Sequence, residues 1–478
     1  MDRSQFTTTE TLHYLWKHLG LPLEVLGRLQ LTGDGLGVPS SFKIGHVAQA
    51  SVALSALTAA LLYSIRNNVA VPRVYVNLQD ALVEFKSERL LTIDSAEVPS
   101  PPLIGGLHKT SDGYIRIHDA FMNQRDGVKQ LLDCQGEDDR ARIAEATSKW
   151  TVLDLEAVGT DANLALAALR SPHEWDATPQ GQAVADFPIT IRKIVDGPPR
   201  LAASLRQGAD KCLRGLRVVE MTRVISGPVA GKTLAAHGAD VLWVTSPKLP
   251  DIPAVDRDVS RGKRTLSLDI NKPEYRANLD GLLTDADVFL QSYRPGSLAS
   301  RGLSPEELAS NSTNGIIYAT LSAYGPDGLW SHRRGFDSLV QTCSGLNVSE
   351  AEHFGAGEVS RVLPCQVLDH ASGYFLAAGI GAALYKQAIE GGSFEVQVSL
   401  AGSMKYLRSL GQYEGKSGFE CPDFNSQDEV PARCFEERNS EFGKIKAVRH
   451  SARVDGLAVG WDIMPRPLGS DKPEWLLQ

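Results

Sequence analysis

The sequence lacks several features that mark specialised classes of protein. Its six cysteines, at positions 134, 212, 343, 365, 421 and 434, include no Cys-x-x-Cys pair, so neither a zinc ribbon nor a disulfide framework is indicated. Asp and Glu (57) outnumber Lys and Arg (49), for a net charge of −8, and nucleic-acid binding usually requires a basic surface. We expect free thiols, no metal site and no nucleic-acid partner.

Long apolar segments and targeting signals are also lacking. The longest apolar run, around Val52 to Ile65, is rich in Ala and interrupted by Ser, so we expect no membrane-spanning helix. The start, Met1-Asp2-Arg3-Ser4, resembles neither a signal peptide nor an Arg-rich transit sequence. With 478 residues, 42% of them hydrophobic, the chain is predicted to be a cytoplasmic protein of two or three domains.

A strand–turn–helix–strand pattern begins at Leu216. Residues 216–221 read as a buried strand, 222–228 as a turn, 229–237 as a helix and 241–244 as a second strand. Such a βαβ unit indicates an α/β fold with a parallel, Rossmann-like sheet. Its first turn is where open α/β sheets bind phosphorylated ligands.

The pattern continues along the chain. Further strands are predicted near residues 265–268, 287–291 and 316–321, with a helix over 273–283. We therefore place a Rossmann-like domain at 215–410, a linker at 197–214, a smaller α+β region at 1–196 and an extended tail at 411–478.

Asp369 is the strongest candidate for a reactive side chain. It stands in Leu368-Asp369-His370-Ala371-Ser372-Gly373-Tyr374, at the start of a helix of small residues that runs to about Lys386. An unperturbed Asp has a pKa of about 3.9 and is an anion at neutral pH. It can therefore attack an activated carbonyl without a general base. For an isolated Asp, helix capping would be the commoner role.

Seven sequence blocks around this residue resemble those of one enzyme family. In order they are LRVVEMTRVISGP, AAHGADVLWV, RGKRTLSLDI, ADVFLQSYRPG, IYATLSAYG, RRGFDSLVQTCSGL and the Asp369 block, over about residues 214 to 405. They resemble the family III CoA-transferases of the CaiB/BaiF type. Formyl-CoA and carnitine CoA-transferases are members of this family, and α-methylacyl-CoA racemases share its fold.

The resemblance implies the roles of specific residues. Asp369 would be the nucleophile that takes CoA from an acyl-CoA thioester and passes it to a free carboxylic acid. Coenzyme A would be part of the substrate, with no permanently bound cofactor. Ser292 stands where the family usually has Asn, and Ser300 where Arg is common. The implied cofactor-binding residues are Ile225, Ser226, Lys263, Ser292, Tyr293, Arg294 and Tyr324.

Three alternatives compete with this interpretation. Ser226-Gly227-Pro228-Val229-Ala230-Gly231-Lys232-Thr233 looks like a phosphate loop, but Ser226 replaces its first Gly and Pro228 removes an N–H. A racemase would need a His where Phe336 stands, since Phe carries no proton. A non-catalytic acyl-CoA-binding protein is the third possibility.

The N-terminal region looks rearranged. Residues 47–82 resemble 369–404, with Val47 at the position of Asp369 and no Asp or Glu between Gly35 and Gln79, so a first copy would lack the nucleophile. Thr110 to Ile117 resembles a hairpin of the family's small domain, which ordinarily follows the nucleophile. Family members form dimers whose chains thread through each other, so a homodimer, possibly interlocked, is implied.

Overall fold

The computed structural model describes residues 1–99, 104–136 and 139–476. The region ahead of the large domain folds into eight short strands and eight helices within these residues. In chain order they are α1 (Thr8–His18), β1 (Leu29–Thr32), α2 (Ile44–Asn67), β2 (Val74–Asn77), α3 (Leu78–Glu84), β3 (Thr92–Ile93), β4 (Ala96–Glu97), β5 (Gly106–Lys109), β6 (Tyr114–Ile117), α4 (Met122–Leu131), α5 (Arg140–Thr147), α6 (Val152–Asp161), β7 (Leu166–Ala168), α7 (Pro172–Asp176), α8 (Pro179–Ala183) and β8 (Ile189–Val195).

The large domain alternates strands and helices, as the sequence pattern predicts. Its elements are β9 (Arg217–Met221), α9 (Ser226–Ala236), β10 (Asp240–Thr245), α10 (Pro253–Val259), β11 (Lys263–Ser267), α11 (Pro273–Thr284), β12 (Val288–Gln291), α12 (Pro305–Asn311), β13 (Ile317–Ser322), α13 (Asp337–Cys343), α14 (Leu346–Phe354), α15 (Val367–Glu390), β14 (Ser393–Ser399) and α16 (Leu400–Ser409). Three strands follow in the tail: β15 (Phe435–Ser440), β16 (Gly443–Val448) and β17 (Ala452–Val454).

The central sheet has seven strands in the order β11-β10-β9-β12-β13-β14-β8. All neighbouring pairs are parallel except β14 and β8. The first six strands show the doubly wound order 3-2-1-4-5-6, in which the chain reverses direction across the sheet between the first and fourth strands. Here that switch point lies between β9 and β12, where Met221 is opposite Gln291. The predicted α/β class is confirmed.

Helix α15 is the centre of the hydrophobic core. It packs against α2, α9 and β14, and glycines allow the close approach to each neighbour. A Cβ atom at Gly373 would lie 2.7 Å from Val229 Cβ, and one at Gly379 2.6 Å from Val396 Cγ1. At Gly381 it would lie 2.6 Å from Thr58 Cβ in α2. Small residues therefore set the helix spacing around the candidate nucleophile.

The prediction that no apolar segment reaches membrane-spanning length is wrong in one respect. Helices α2 and α15, each of 24 residues, are long and apolar enough by length and composition alone. Their most apolar stretches are 83% and 100% buried inside the protein, respectively. Both are core helices, and a helix that is apolar on all sides is expected at such a position.

The suspected repeat is visible in the backbone. Strand β1, helix α2, strand β2 and helix α3 follow the same order as β13, α15, β14 and α16, and both strand pairs are parallel. The N-cap residues of the two long helices have nearly identical angles, φ −76° and ψ 57° at Lys43 and φ −78° and ψ 63° at Gln366. Counted from these caps, His46 and not Val47 occupies the position of Asp369.

The two parts of the chain exchange strands. Strand β8, which follows the N-terminal region, pairs antiparallel with β14 of the large domain. Strand β17 of the tail pairs antiparallel with β2 of the N-terminal region. The tail also supplies β15 and β16 to a four-stranded sheet with β3 and β4. The tail is thus folded into sheets, whereas the sequence predicted an extended segment.

The predicted hairpin of the small domain is present. Strands β5 and β6 pair antiparallel, and the Thr110 N–H donates to the Gly113 carbonyl across the turn at 2.9 Å. With β7 and helices α4, α5 and α6 they form a subdomain with its own small core. Its loop at Phe121 and Asn123 reaches the carboxyl edge of the large sheet. All six cysteines of the chain are free thiols.

Candidate active site

A cavity of about 440 Å³ lies at the switch point of the large sheet. Met221 at the end of β9, Ser292 just after β12 and Ser322 at the end of β13 line it. Doubly wound sheets bind ligands at this place because the loops on either side of the reversal diverge. The volume is within the range of small-molecule sites.

The loop between β9 and α9 forms one wall of the cavity. Val224 in this loop has a φ of 69°, a left-handed conformation that is rare for a β-branched residue. Gly227 follows, and a Cβ atom there would lie 2.8 Å from both Ser292 Oγ and Thr222 Cβ. The Arg223 N–H donates to Ser292 Oγ at 3.3 Å. The loop is therefore held close to the β12 turn, with the N-terminus of α9 at the cavity.

Cationic side chains dominate the polar lining of the cavity. Arg223 packs over the Phe121 ring at 4.5 Å, and Arg294 donates to Asn163 Oδ1 at 2.9 Å. Burial, with the nearby charges of Arg294 and Arg223, lowers the pKa of Arg334, as expected where like charges converge. The charged lining residues are Arg223, Arg294, Arg301, Arg333, Arg334, Lys248, Asp269 and Asp369. Such an excess of guanidinium groups suits phosphate or carboxylate anions.

Asp369 lies at the start of α15 and lines the same cavity. It is 8% exposed, so its carboxyl group is nearly buried yet opens to the space where a ligand would bind. Its backbone carbonyl accepts a hydrogen bond from Ser226 Oγ at 3.1 Å, which joins the starts of α9 and α15. The sequence motif and the cavity thus meet at this side chain.

A second aspartate fixes the backbone of that first turn. Asp337 Oδ2 accepts the Leu368 N–H at 2.8 Å and the Asp369 N–H at 3.0 Å, and Gln341 donates to the other oxygen. These bonds satisfy two of the four N–H groups that a helix start leaves free. Burial raises the pKa of Asp337 to about 6, although its hydrogen bonds oppose this.

The surroundings of Asp369 favour its neutral form. Burial raises the pKa of its carboxyl group well above the ordinary value, and the charges of Asp337 and Glu88 raise it further. Both effects disfavour an anion, the first by removing water and the second by repulsion. Perturbed carboxyl groups in a cleft are typical of functional sites.

Glu88 comes from the N-terminal region and reaches α15 through a histidine. Its Oε2 atom lies 3.0 Å from His370 Nε2, and the two side chains are 7% and 2% exposed. The Phe85 ring stacks on His370 with centroids 5.2 Å apart. A residue outside the family-like segment is therefore part of the surroundings of the candidate nucleophile.

The structure brings most of the predicted site residues together. Asp369, Ser226, Ser292, Tyr293 and Arg294 all line the cavity. Burial raises the pKa of the Tyr293 hydroxyl, so this side chain is a neutral hydrogen-bonding group at the cavity wall.

Three predicted cofactor contacts are placed elsewhere. Lys263 is fully buried, and its Nζ atom lies 2.7 Å from Glu220 Oε1 and donates to the Pro228 carbonyl at 2.8 Å. Tyr324 packs edge-on against Trp330 in the core. The side chain of Ile225 is 5% exposed and belongs to the core, although the family resemblance implies a contact through its backbone, and its neighbours Val224 and Ser226 do line the cavity. None of the three lines the cavity. Lys263 in particular is already neutralised, so its predicted contact with CoA is not supported.

The phosphate-loop alternative is inconsistent with the fold. In a phosphate loop the lysine directly follows the loop, at the start of the helix. Lys232 instead lies in the middle of α9. It is 3% exposed, and its Nζ atom pairs with Asp258 Oδ2 at 2.6 Å. The side chain that would bind a phosphate is thus occupied and absent from the cavity lining.

The racemase alternative also lacks its proton carrier. Phe336 lines the cavity at the position where a racemase would need His. His118 stacks on Phe336 with centroids 3.7 Å apart, but burial lowers its pKa to about 3. No histidine is among the described residues that line the cavity, so the His–Asp pair of a racemase is not formed there.

Several residues of the site were not predicted from the sequence. Phe121 and Asn123 come from the hairpin subdomain, and Glu88 from the turn after α3. No local motif marks them, because only the folded chain brings them to the sheet edge. Arg334 and Asp337 lie inside the family-like block RRGFDSLVQ, next to Phe336. Their place in this block could have identified them as site residues.

Comparison with known protein families agrees with this geometry. Residues 213–439 match the model of the family described as CoA-transferase family III. This segment contains Asp369, the cationic loops and all the cavity-lining residues except Phe121 and Asn123. Over residues 213–439 the protein therefore matches a CoA-transferase family III domain.

Curated relatives are similar over part of their length. An acyl-CoA transferase of Gibberella moniliformis is 35% identical over 54% of this chain and 47% of its own. The acetyl-coenzyme A transferase nodX of Hypoxylon pulicicidum is 30% identical over 65% of this chain and 56% of its own. A formyl-CoA:oxalate CoA-transferase of Rhodopseudomonas palustris is 31% identical over 40% of this chain and 46% of its own. The chain spans about half the length of these relatives.

Among solved structures, a CaiB/BaiF family protein from Brucella suis is 26% identical to this chain. The match covers 41% of this chain and 55% of that protein, with a TM-score of 0.38.

Proposed function

We propose that the protein is a CoA-transferase that moves CoA from an acyl-CoA thioester to a free carboxylic acid, with Asp369 as the covalent nucleophile. The observation that carries this proposal is the position of Asp369 in a cation-rich cavity at the switch point of the sheet. The family match of the surrounding residues supports the reaction class. The donor and acceptor acids are left open.

The reaction would begin with attack of the Asp369 carboxylate on the thioester carbonyl. This step forms a mixed anhydride and releases CoA as thiolate. The thiolate then attacks the aspartyl carbonyl, which gives an aspartyl-CoA thioester and releases the donor carboxylate. An acceptor carboxylate attacks this thioester, and the returning thiolate attacks the acceptor's carbonyl to release the new acyl-CoA and restore Asp369.

The surroundings of Asp369 would lower the fraction of its anion but make that anion more reactive in the first step. A carboxylate with a raised pKa is more basic, and therefore a stronger nucleophile, than an ordinary Asp. Acylation also removes its negative charge, so repulsion from Asp337 is relieved in the covalent intermediate.

Positive groups would stabilise the oxyanions and the bound cofactor. The Gly373 N–H lies inside α15 and beside Val229, so it is poorly placed to bind an oxyanion. The first turn of α9 lies at the cavity instead, and the Gly227 N–H there is the better donor. Arg223, Arg294 and Arg334 would bind the phosphate groups of CoA.

The Asp369→Asn variant tests the proposal. Asparagine has nearly the same shape but is a poor nucleophile, so transfer of label between acyl-CoA and free acids should fall at least about 1,000-fold. The affinity for CoA, measured by calorimetry, should stay within about threefold.

Asp287→Asn is a matched control. Asp287 is also buried, with a pKa raised to about 6 by burial, but it binds Ser204 and the Arg217 N–H away from the cavity. This variant should retain transfer. Full activity of Asp369→Asn would refute the proposal, and CoA binding without transfer by the wild type would favour a non-catalytic acyl-CoA-binding protein.

A further inference from the structure

The end of α3 and the turn after it are anchored to the rest of the protein by four side chains, at positions 84, 86, 87 and 88. Glu84 accepts from the Ser451 N–H at 2.8 Å, Lys86 donates to the Phe424 carbonyl at 3.0 Å, and Ser87 donates to Asp258 Oδ2 at 2.7 Å. Glu88 is the last of the series, and it contacts the first turns of the helix that carries Asp369 through His370. The turn is therefore rigidly held where Glu88 meets α15.

The contact between Glu88 and His370 is buried and specific. Nε2 of His370 donates to Glu88 Oε2 at 3.0 Å, and Phe85 covers one face of the imidazole. The pKa of Glu88 is lowered even though burial alone would raise it, because His370 offsets burial. A buried carboxylate held in this way is a fixed negative charge beside the first turn of α15.

Other charged groups around this turn are few and already engaged. Arg89 lies 3.5 Å from Glu88 and is 41% exposed, so solvent screens it. Asp337 faces the same turn from α13 and binds its N–H groups. Arg223 and Arg334 face Asp369 across the cavity. Arg116 of the hairpin subdomain interacts with Asp337. Glu88 is thus the buried carboxylate of the N-terminal region that contacts this part of α15.

We propose that Glu88 is a positioning residue for Asp369. Through its hydrogen bond to His370 it holds the first turn of α15, and its charge makes the Asp369 carboxylate more basic. The active site is then assembled from both parts of the chain, the repeat-like N-terminal region included. This inference rests on the proposed function, because it assigns Glu88 a role in that reaction.

The sign of the effect on pH dependence follows from the charges. Asp369 reacts as an anion, so activity is present above its pKa and is lost as pH falls through it. Glu88 raises that pKa by repulsion. Removing the charge while keeping a hydrogen-bond acceptor, as in Glu88→Gln, should lower the pKa of Asp369 and move the acid limb of activity to lower pH.

The experiment compares three variants by two methods. Transfer activity is followed against pH, and the ionisation of Asp369 is followed without turnover by carbodiimide labelling, since only the protonated carboxyl group reacts. Glu88→Gln should move both midpoints down by about one pH unit. Glu88→Ala, which also removes the hydrogen bond, should lower kcat about tenfold with CoA affinity unchanged.

Asp423→Asn is the control for loss of anchoring. It removes the ion pair that Lys86 makes in the same turn without touching His370, and it should shift neither midpoint. Unmoved midpoints in Glu88→Gln, or an equal shift in Asp423→Asn, would overturn the inference. If the wild type shows no transfer, the proposed function fails, and labelling of Asp369 still decides the role of Glu88.

Discussion

Three buried carboxyl groups surround the first turn of α15, and each has a different partner. Asp337 accepts two backbone N–H groups, Glu88 binds His370, and Asp369 has only its backbone bonded to the neighbouring helix start. A buried carboxyl group without a hydrogen-bonded counter-charge is costly for stability. Such a cost is typical of reactive sites, where the group must remain available to the substrate.

At the scale of residues, the sequence predicted that Asp369 would lie at the cavity, but it did not predict the ion-pair partners of every cation. Asp369 and Arg294 follow motifs whose position relative to the strands decides where they lie, so their place at the cavity was predictable. Lys263 on β11 occupies a comparable motif, yet Glu220 on β9, two strands away in the same sheet, forms an ion pair with it. That pairing depends on side-chain direction across the sheet, which the sequence pattern does not reveal.

The unusual backbone at Val224 was likewise beyond prediction. Glycine and Asn are the usual residues at positive φ, so a Val in this conformation gives no sequence signal. Its place in the loop beside the cavity is consistent with strain held at a functional site by surrounding contacts.

At the scale of elements, the close packing of α15 on α2 is the feature most open to test. Gly381→Ala would place a Cβ atom 2.6 Å from Thr58 Cβ, and neither helix backbone can move without disturbing the core. We expect the free energy of unfolding to fall by about 1–3 kcal/mol, measured by chemical denaturation.

Gly281→Ala provides the matched control, since nothing lies within 4 Å of a Cβ atom at this position on α11. Alanine there should stabilise the protein by about 0.4–1 kcal/mol, because it restricts the unfolded chain and favours helix. Equal stability of the two variants would contradict the packing described for Gly381.

The elements themselves were largely readable from the sequence, except those completed by distant segments. The strand near residue 217 and the helix near residue 273 follow local patterns and appear with ends shifted by one or two residues. Strands β15 and β16 were missed, although Ile445 and Ala447 of β16 alternate with lysines and are buried. Strand β15 is polar, and the two strands pair only with each other and with β3, so a short alternation in one of them was a weak signal.

At the scale of the whole molecule, exchange of β8 and β17 ties the two parts of the chain together. The sequence predicts domain boundaries at residues 196 and 215. In the structure, however, a strand from each side of these boundaries pairs with a sheet on the other side. The two parts are therefore not independent folding units, which local composition could not show.

Cutting the chain between these parts tests the exchange. Cleavage at a protease site inserted after the exposed Gln207 would break the backbone between the two parts of the chain and leave their non-covalent contacts in place. Because β8 stays paired with β14, and α2 stays packed on α15, we expect the two fragments to co-elute in size-exclusion chromatography. The uncut insertion variant is the control for folding. Separate elution of folded fragments would contradict the exchange.

The central claim is tested most directly by locating the covalent intermediate. The protein would be incubated with an acyl-CoA, treated with hydroxylamine, digested and examined by mass spectrometry. We predict a hydroxamate on Asp369, formed only when thioester is present and absent from Asp369→Asn. Transfer activity with an unmodified Asp369, or with the adduct on another side chain, would contradict the account.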